Sequence, residues 1–181
     1  MGAILKFANA VDRLNAGVGK VLSLAVLAMV LIVFLIVVLR YGFSLGWVAL
    51  QESYVWLHGL IFMLGAGFTL QRDGHVRVDI FYRGHSRKFR AWVNLAGTVL
   101  FLMPLVITIA WVSVPYAADS WARLEASREA GGLPGLFALK SAILVFCVLF
   151  GLQGLSLMAR SVATLFSAGT AEAPPRPGEG I

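Results

Sequence analysis

The sequence predicts an all-α membrane protein: four transmembrane helices with an N-terminal amphipathic helix, both termini cytoplasmic. Three observations carry that reading. The run from Val21 to Leu39 holds no charge and no proline; at ~1.5 Å of rise per residue it crosses a hydrocarbon core of roughly 30 Å. Three further apolar stretches follow, at about 47–70, 91–116 and 136–159. The chain of 181 residues is 59% hydrophobic and 13% charged, with a mean hydropathy of +0.84, more apolar surface than a soluble domain covers. Lipid offers no partner to backbone N–H and C=O groups, so each crossing segment is a helix.

Taken in order, residues 1–20 come first. Ile4, Phe7, Val11, Leu14 and Val18 recur at three- and four-residue steps, with Lys6, Asp12, Arg13 and Asn15 mostly off that stripe. The pattern predicts an amphipathic helix in the membrane interface or packed beside it. The first span, about 21–40, has an apolar core longer than the ~7–15 residues of a cleaved signal, and no small-residue cleavage site follows Arg40, so it reads as a retained helix. A short turn with Gly42 and Gly46 leads to the second span, which carries Gln51, Glu52 and His58. The segment from Gln71 to Arg90 is polar and basic; Gly74 suits a sharp turn and Ser86 an N-cap for the third helix. In the third span Pro104 removes one backbone bond and predicts a kink. Residues 117–134 are polar again, with the turn signal GGLPG at 131–135 before the fourth span. The tail 161–181, rich in Pro, Gly and Ala from Ser167 onward, reads as a flexible cytoplasmic tail beyond a four-helix domain at 21–160.

Charge sets the orientation. Eleven Lys and Arg fall in the N-terminal segment, the middle loop and the C-terminal end, against four (Arg40, Arg123, Arg128, Lys140) on the other side. By the positive-inside rule both termini and the middle loop face the cytoplasm. The same distribution accounts for the net charge of +6 without a nucleic-acid partner.

Few residues offer chemistry. Glu52 lies about one and a half turns into an apolar helix, where a carboxylate costs a few kcal/mol. Arg40 and Lys140 lie at a matching depth, and the expectation is an interhelical ion pair of Glu52 with one or both. On the same face Val55, Gly59, Met63 and Ala66 would let another helix approach closely. The rival is a proton-coupling carboxylate in a stand-alone homodimeric small exporter. His58 stands near mid-membrane without a second histidine in any span, so a packing role is expected over haem or metal ligation. Cys147, the single cysteine, builds no disulfide. No nucleophile–base set, phosphate loop, HExxH or CxxC occurs, so neither catalysis nor a cofactor is expected.

The middle loop adds a resemblance. DGHVRVDIFY, residues 73–82, with Asp73, Gly74, His75, Arg77 and Asp79, resembles the signature of the small permease subunit (DctQ type) of tripartite ATP-independent periplasmic, or TRAP, transporters. Arg40–Tyr41, LQES around Glu52, SWARLEAS (120–127), GGLPGLFALK (131–140) and LQGLSL (152–157) extend it, and resemble the branch for mannitol/chloroaromatic or 2-oxo acid uptake. The resemblance implies a non-catalytic scaffold subunit in the bacterial inner membrane. Its partners would be a large twelve-helix permease (DctM type) that moves a carboxylate with a sodium gradient, a periplasmic substrate-binding protein (DctP type), and membrane lipids. Trp47, Trp121, Glu125 and Arg128 on the outer side are then the expected partner contacts.

Overall fold

In the computed structural model, which describes residues 2–75, 82 and 84–167, the regular structure is helical. Helix α1 runs Gly2–Gly42, α2 Val48–Gln71, α3 Arg87–Gly97, α4 Met103–Ala122 and α5 Leu136–Ser167. A π-helical turn, Thr98–Leu102, joins α3 to α4, making one continuous run of 36 residues. Among the described residues, four helices are therefore long and apolar enough to cross a membrane.

The boundaries depart from the sequence expectation in three places. The N-terminal segment is no separate helix: it is the first half of α1, whose 41 residues reach about 60 Å, twice a hydrocarbon core. Its buried face is Ala8, Val11, Asn15 and Gly19, turned toward the bundle, while Ile4, Phe7 and Leu14 stay exposed. The third crossing continues past Pro115 to Ala122, and the fourth continues to Ser167. Val76, Arg77, Val78, Asp79 and Ile80 of the middle loop, and the tail beyond Ser167, lie outside the described residues.

Local chemistry explains the ends and the π turn. Pro104 has no N–H to return to its own helix. Just before it Met103 N–H bonds Thr98 O, five residues back, which makes the turn π rather than α. The Thr98 hydroxyl donates to Asn94 O at 2.7 Å in the same stretch. Ser86 does cap α3, its Oγ accepting from Phe89 N at 3.3 Å. At the end of α2 the left-handed residue is Asp73 (φ 58°), not Gly74 as expected. Asp73 N–H bonds Leu70 O and Gly74 N–H bonds Thr69 O, the two bonds of a Schellman motif.

Helix α5 holds the bundle together. It packs on α1, α2, α3 and α4, whereas α1 and α2 pack on each other and touch neither α3 nor α4. The helices thus form two wings on a shared spine. Close approaches mark contacts both within a wing and with the spine. A side chain at Gly67 of α2 would meet Asn15 Oδ1 at 2.3 Å and the Leu149 carbonyl at 3.1 Å, and one at Gly19 would enter the Phe68 ring. In the stripe expected to serve close packing, Val55 is exposed and nothing lies within 4 Å of a Cβ at Gly59, while Met63 and Ala66 are half-buried. Much of the outer surface is apolar, with Leu24, Phe34, Phe101 and Trp111 all well exposed, which suits lipid and would not suit water.

Candidate functional site

Polar groups concentrate at the two ends of the bundle, and each cluster begins with an acid set into an apolar helix. The first is at the end where α1 finishes and α2 begins. Glu52, in the first turns of α2, accepts a hydrogen bond from the Ser127 hydroxyl on one oxygen and from Leu133 N–H at 2.6 Å on the other. Both donors belong to the α4–α5 connection. That connection is itself folded tightly: Ser127 N–H bonds Leu133 O at 3.1 Å, Glu129 N–H bonds Ser127 Oγ, and Gly132 N–H bonds Glu129 O. A side chain at Gly132 would sit 2.5 Å from Ser127 Oγ and 2.8 Å from Glu52 Oε2. Gly131 and Gly135 take positive φ of 75° and 97°, so the GGLPG stretch turns where expected.

Among the described residues, Glu52 therefore bonds to neutral donors and has no cation beside it. Lys140 is engaged elsewhere: its Nζ donates to Glu125 Oε2 at 2.5 Å and stands 4.1 Å from the Tyr116 ring centroid. Ser120 Oγ donates to the same Glu125 oxygen at 2.7 Å. The Lys140 ammonium, and after it the Ser120 hydroxyl, hold the Glu125 carboxyl below the usual carboxylate range. Arg40 is exposed at the end of α1, beside Trp47 and Gln51, with no ion pair among the described residues. The expectation failed because matching depth along the membrane says nothing about what a folded loop brings alongside. Here the loop brought neutral donors to Glu52 and an acid to Lys140.

The residues expected to meet partners divide in two. Trp47 precedes α2 and is exposed, and Arg128 is exposed on the connection. Trp121 and Glu125 hold the protein itself together. Trp121 Nε1 donates to Ser141 Oγ at 2.8 Å and its ring packs 4.4 Å from that of Phe137. Together with Glu125–Lys140 this staples the end of α4 to the start of α5.

The second cluster, at the opposite end, escaped the sequence reading. Asp12 of α1 accepts from Gln153 Nε2 at 2.9 Å, from Ser156 Oγ at 2.8 Å and from the Arg160 guanidinium, all on α5. Asn15, fully buried, donates to Gln153 Oε1 at 2.8 Å, and Gln71 at the end of α2 donates to Asp12 O at 2.9 Å. Three helices are locked at one level. A usable signal was present: Asp12 and Asn15, like Gln153 and Ser156, stand three residues apart and so share a helix face. In the middle-loop signature, Asp73 and Gly74 form the α2 cap, and the His75 ring lies 5.8 Å from that of Phe150. Tyr82 is tied to Asn94 of α3, whose Nδ2 donates to its hydroxyl at 2.9 Å. Arg77 and Asp79 lie outside the described residues.

His58 lies mid-way along α2 with its side chain exposed, not packed as expected. Among the described residues, no three of His, Cys, Asp and Glu gather as metal ligands.

Four long apolar helices among the described residues define a multi-pass membrane protein, and its embedded acids bond to other parts of the same chain. The chain belongs to the family described as tripartite ATP-independent periplasmic transporters, DctQ component, whose family model matches residues 29–164. It is thus the small membrane component of a tripartite transport system rather than an enzyme. No curated protein and no solved structure matches the chain.

Proposed function

We propose that this subunit is a static brace in the inner membrane of a bacterium, with both chain ends cytoplasmic. It flanks a large twelve-helix permease that takes up a small carboxylate with a sodium gradient, and it helps dock the periplasmic substrate-binding protein. The lysine and arginine bias supports the orientation. The resemblance of the motif set to the mannitol/chloroaromatic or 2-oxo acid branch supports an organic acid as the cargo.

One observation carries the reading. On α2, Val55, His58, Gly59 and Phe62 share a helix face, and that face is uncovered: Val55 is 53% and Phe62 77% exposed, His58 is exposed, and the space over Gly59 is empty. An imidazole at mid-membrane facing lipid costs energy that a protein partner removes, and an open glycine admits a close helix. The two-winged arrangement, in which α2 and α4 make no direct contact, also leaves wide faces for a neighbour. On this reading Trp47 and Arg128 meet the binding protein on the outer side, Glu52 shapes the connection that presents Arg128, and Arg40 caps the first span.

Co-expression with the permease and binding protein tests it. Gly59→Leu, which fills the stripe without touching the subunit's own fold, is expected to leave the yield of the small subunit unchanged. Co-purification of the large one should fall several-fold and uptake should fall with it. Normal co-purification would show that another face is used. Reconstituted alone, the wild-type chain is expected to move no solute; any transport by it unaided would sink the proposal.

A further inference from the structure

An open crevice of about 290 Å³ lies between the start of α3 and the second half of α5. Arg87 and Arg90 of α3 line it on one side and Arg160 of α5 on the other, with Tyr82, Asn94 and Thr164 between. Among the described residues its charge is not balanced. Arg160 is bonded to Asp12 and Asn9, and the Asp12 carboxylate also takes Gln153 and Ser156, so that acid is already engaged. Arg87 and Arg90 are exposed and have no acidic partner among the described residues. Two guanidinium groups are therefore uncompensated, one helical turn apart on one rim, facing a third across the gap. Guanidinium forks are shaped for phosphate oxygens. The phenol, amide and hydroxyl of Tyr82, Asn94 and Thr164 add shorter-range polar partners.

Position narrows the ligand. The crevice opens where α3 passes from charged to apolar: Arg90 and Ala91 line it, and Trp92, the next residue, is exposed. An exposed indole next to arginines is the pattern of the headgroup layer. The volume is near the lower end for ligand pockets, enough for a headgroup and too small for a whole lipid. An excess of positive charge disfavours a headgroup carrying its own ammonium. We propose that this crevice binds the phosphate of an anionic phospholipid, fixing the α3–α5 wing at one membrane surface. It needs only that the chain spans the bilayer, and stands or falls apart from the assembly with a permease.

The experiment is native mass spectrometry on the full-length chain in detergent, titrated separately with phosphatidylglycerol, phosphatidylcholine and inorganic phosphate. Phosphatidylglycerol is expected to remain bound about tenfold more strongly than phosphatidylcholine, two basic residues near the surface being sufficient for that margin. Arg87→Gln/Arg90→Gln should lower it to the phosphatidylcholine level, and Arg87→Lys/Arg90→Lys should keep most of it. Thr164→Glu sets a negative charge in the same crevice and should give the same loss, which covers the case of a poorly folding arginine variant. An excess of inorganic phosphate should displace nothing, because the lipid is also held by its chains. Equal retention of the two lipids, or selectivity that survives both the glutamine pair and Thr164→Glu, overturns the proposal. Displacement by free phosphate overturns it too, and would mark a soluble-anion site instead.

Discussion

At the scale of single residues, two carboxylates do different work within one connection. Glu52 accepts two hydrogen bonds from neutral donors, and Leu133 N–H has no substitute acceptor in that geometry. Glu52→Ala removes both acceptors and leaves the Ser127 hydroxyl and Leu133 N–H without them, a loss of about 1–3 kcal/mol. Faster amide exchange at residues 127–133 is the expected result, measured by mass spectrometry; unchanged exchange would mean the loop holds itself. Glu125 behaves as an ionised partner. A carboxyl whose pKa is lower in the folded state than in the unfolded chain stabilises the fold above the unfolded value. It surrenders that stability as pH falls through the folded one. The Glu125–Lys140 staple is therefore intact at neutral pH and opens in acid below the ordinary carboxylate range. Trp121 fluorescence should report that opening, and Glu125→Gln should abolish the acid transition. Glycines divide as well. Gly67→Ala drives a methyl against buried Asn15 and the Leu149 backbone, and should lower stability by about 1–3 kcal/mol in thermal unfolding. Gly59→Ala meets nothing and, by replacing a flexible residue inside a helix, should raise the melting point slightly.

At the scale of elements, helix length and helix contact were legible to different degrees. The apolar run 21–39 announced a crossing helix because every turn faces lipid, and lipid demands the same thing of each. The first twenty residues announced an amphipathic helix, but not that it continues unbroken into the span and packs on α5. Periodicity finds an apolar stripe; it does not say that Asp12 and Asn15, apparently on the wet side, are the residues that bond to the neighbour. Those bonds make the α1–α5 contact specific where apolar surfaces in lipid would slide. Gln153→Leu removes partners of both Asp12 and Asn15 and leaves polar atoms unmet. A loss of about 1–3 kcal/mol is expected, read as earlier thermal unfolding in detergent. Should the variant melt like the wild type, the cluster is ornamental. Pro104 was likewise visible as a disturbance, while its form, a π turn before the proline, required the positions of Thr98 and Met103.

At the scale of the molecule, one helix organises the rest. Because α5 alone touches every other helix, the wings α1–α2 and α3–α4 are tied to each other through it and through the connection that Glu52 holds. Both the stripe on α2 and the crevice between α3 and α5 follow from that openness. A closed four-helix bundle would have buried them.

Composition and run length by themselves determined that this chain carries four segments able to cross a membrane, since a bilayer asks one question of each segment, apolar for long enough or not. The motif set likewise carried its family. Which acid meets which donor, and which face is left bare, were decided only in three dimensions. Charges at equal depth have many possible neighbours, and a loop's own turns choose among them.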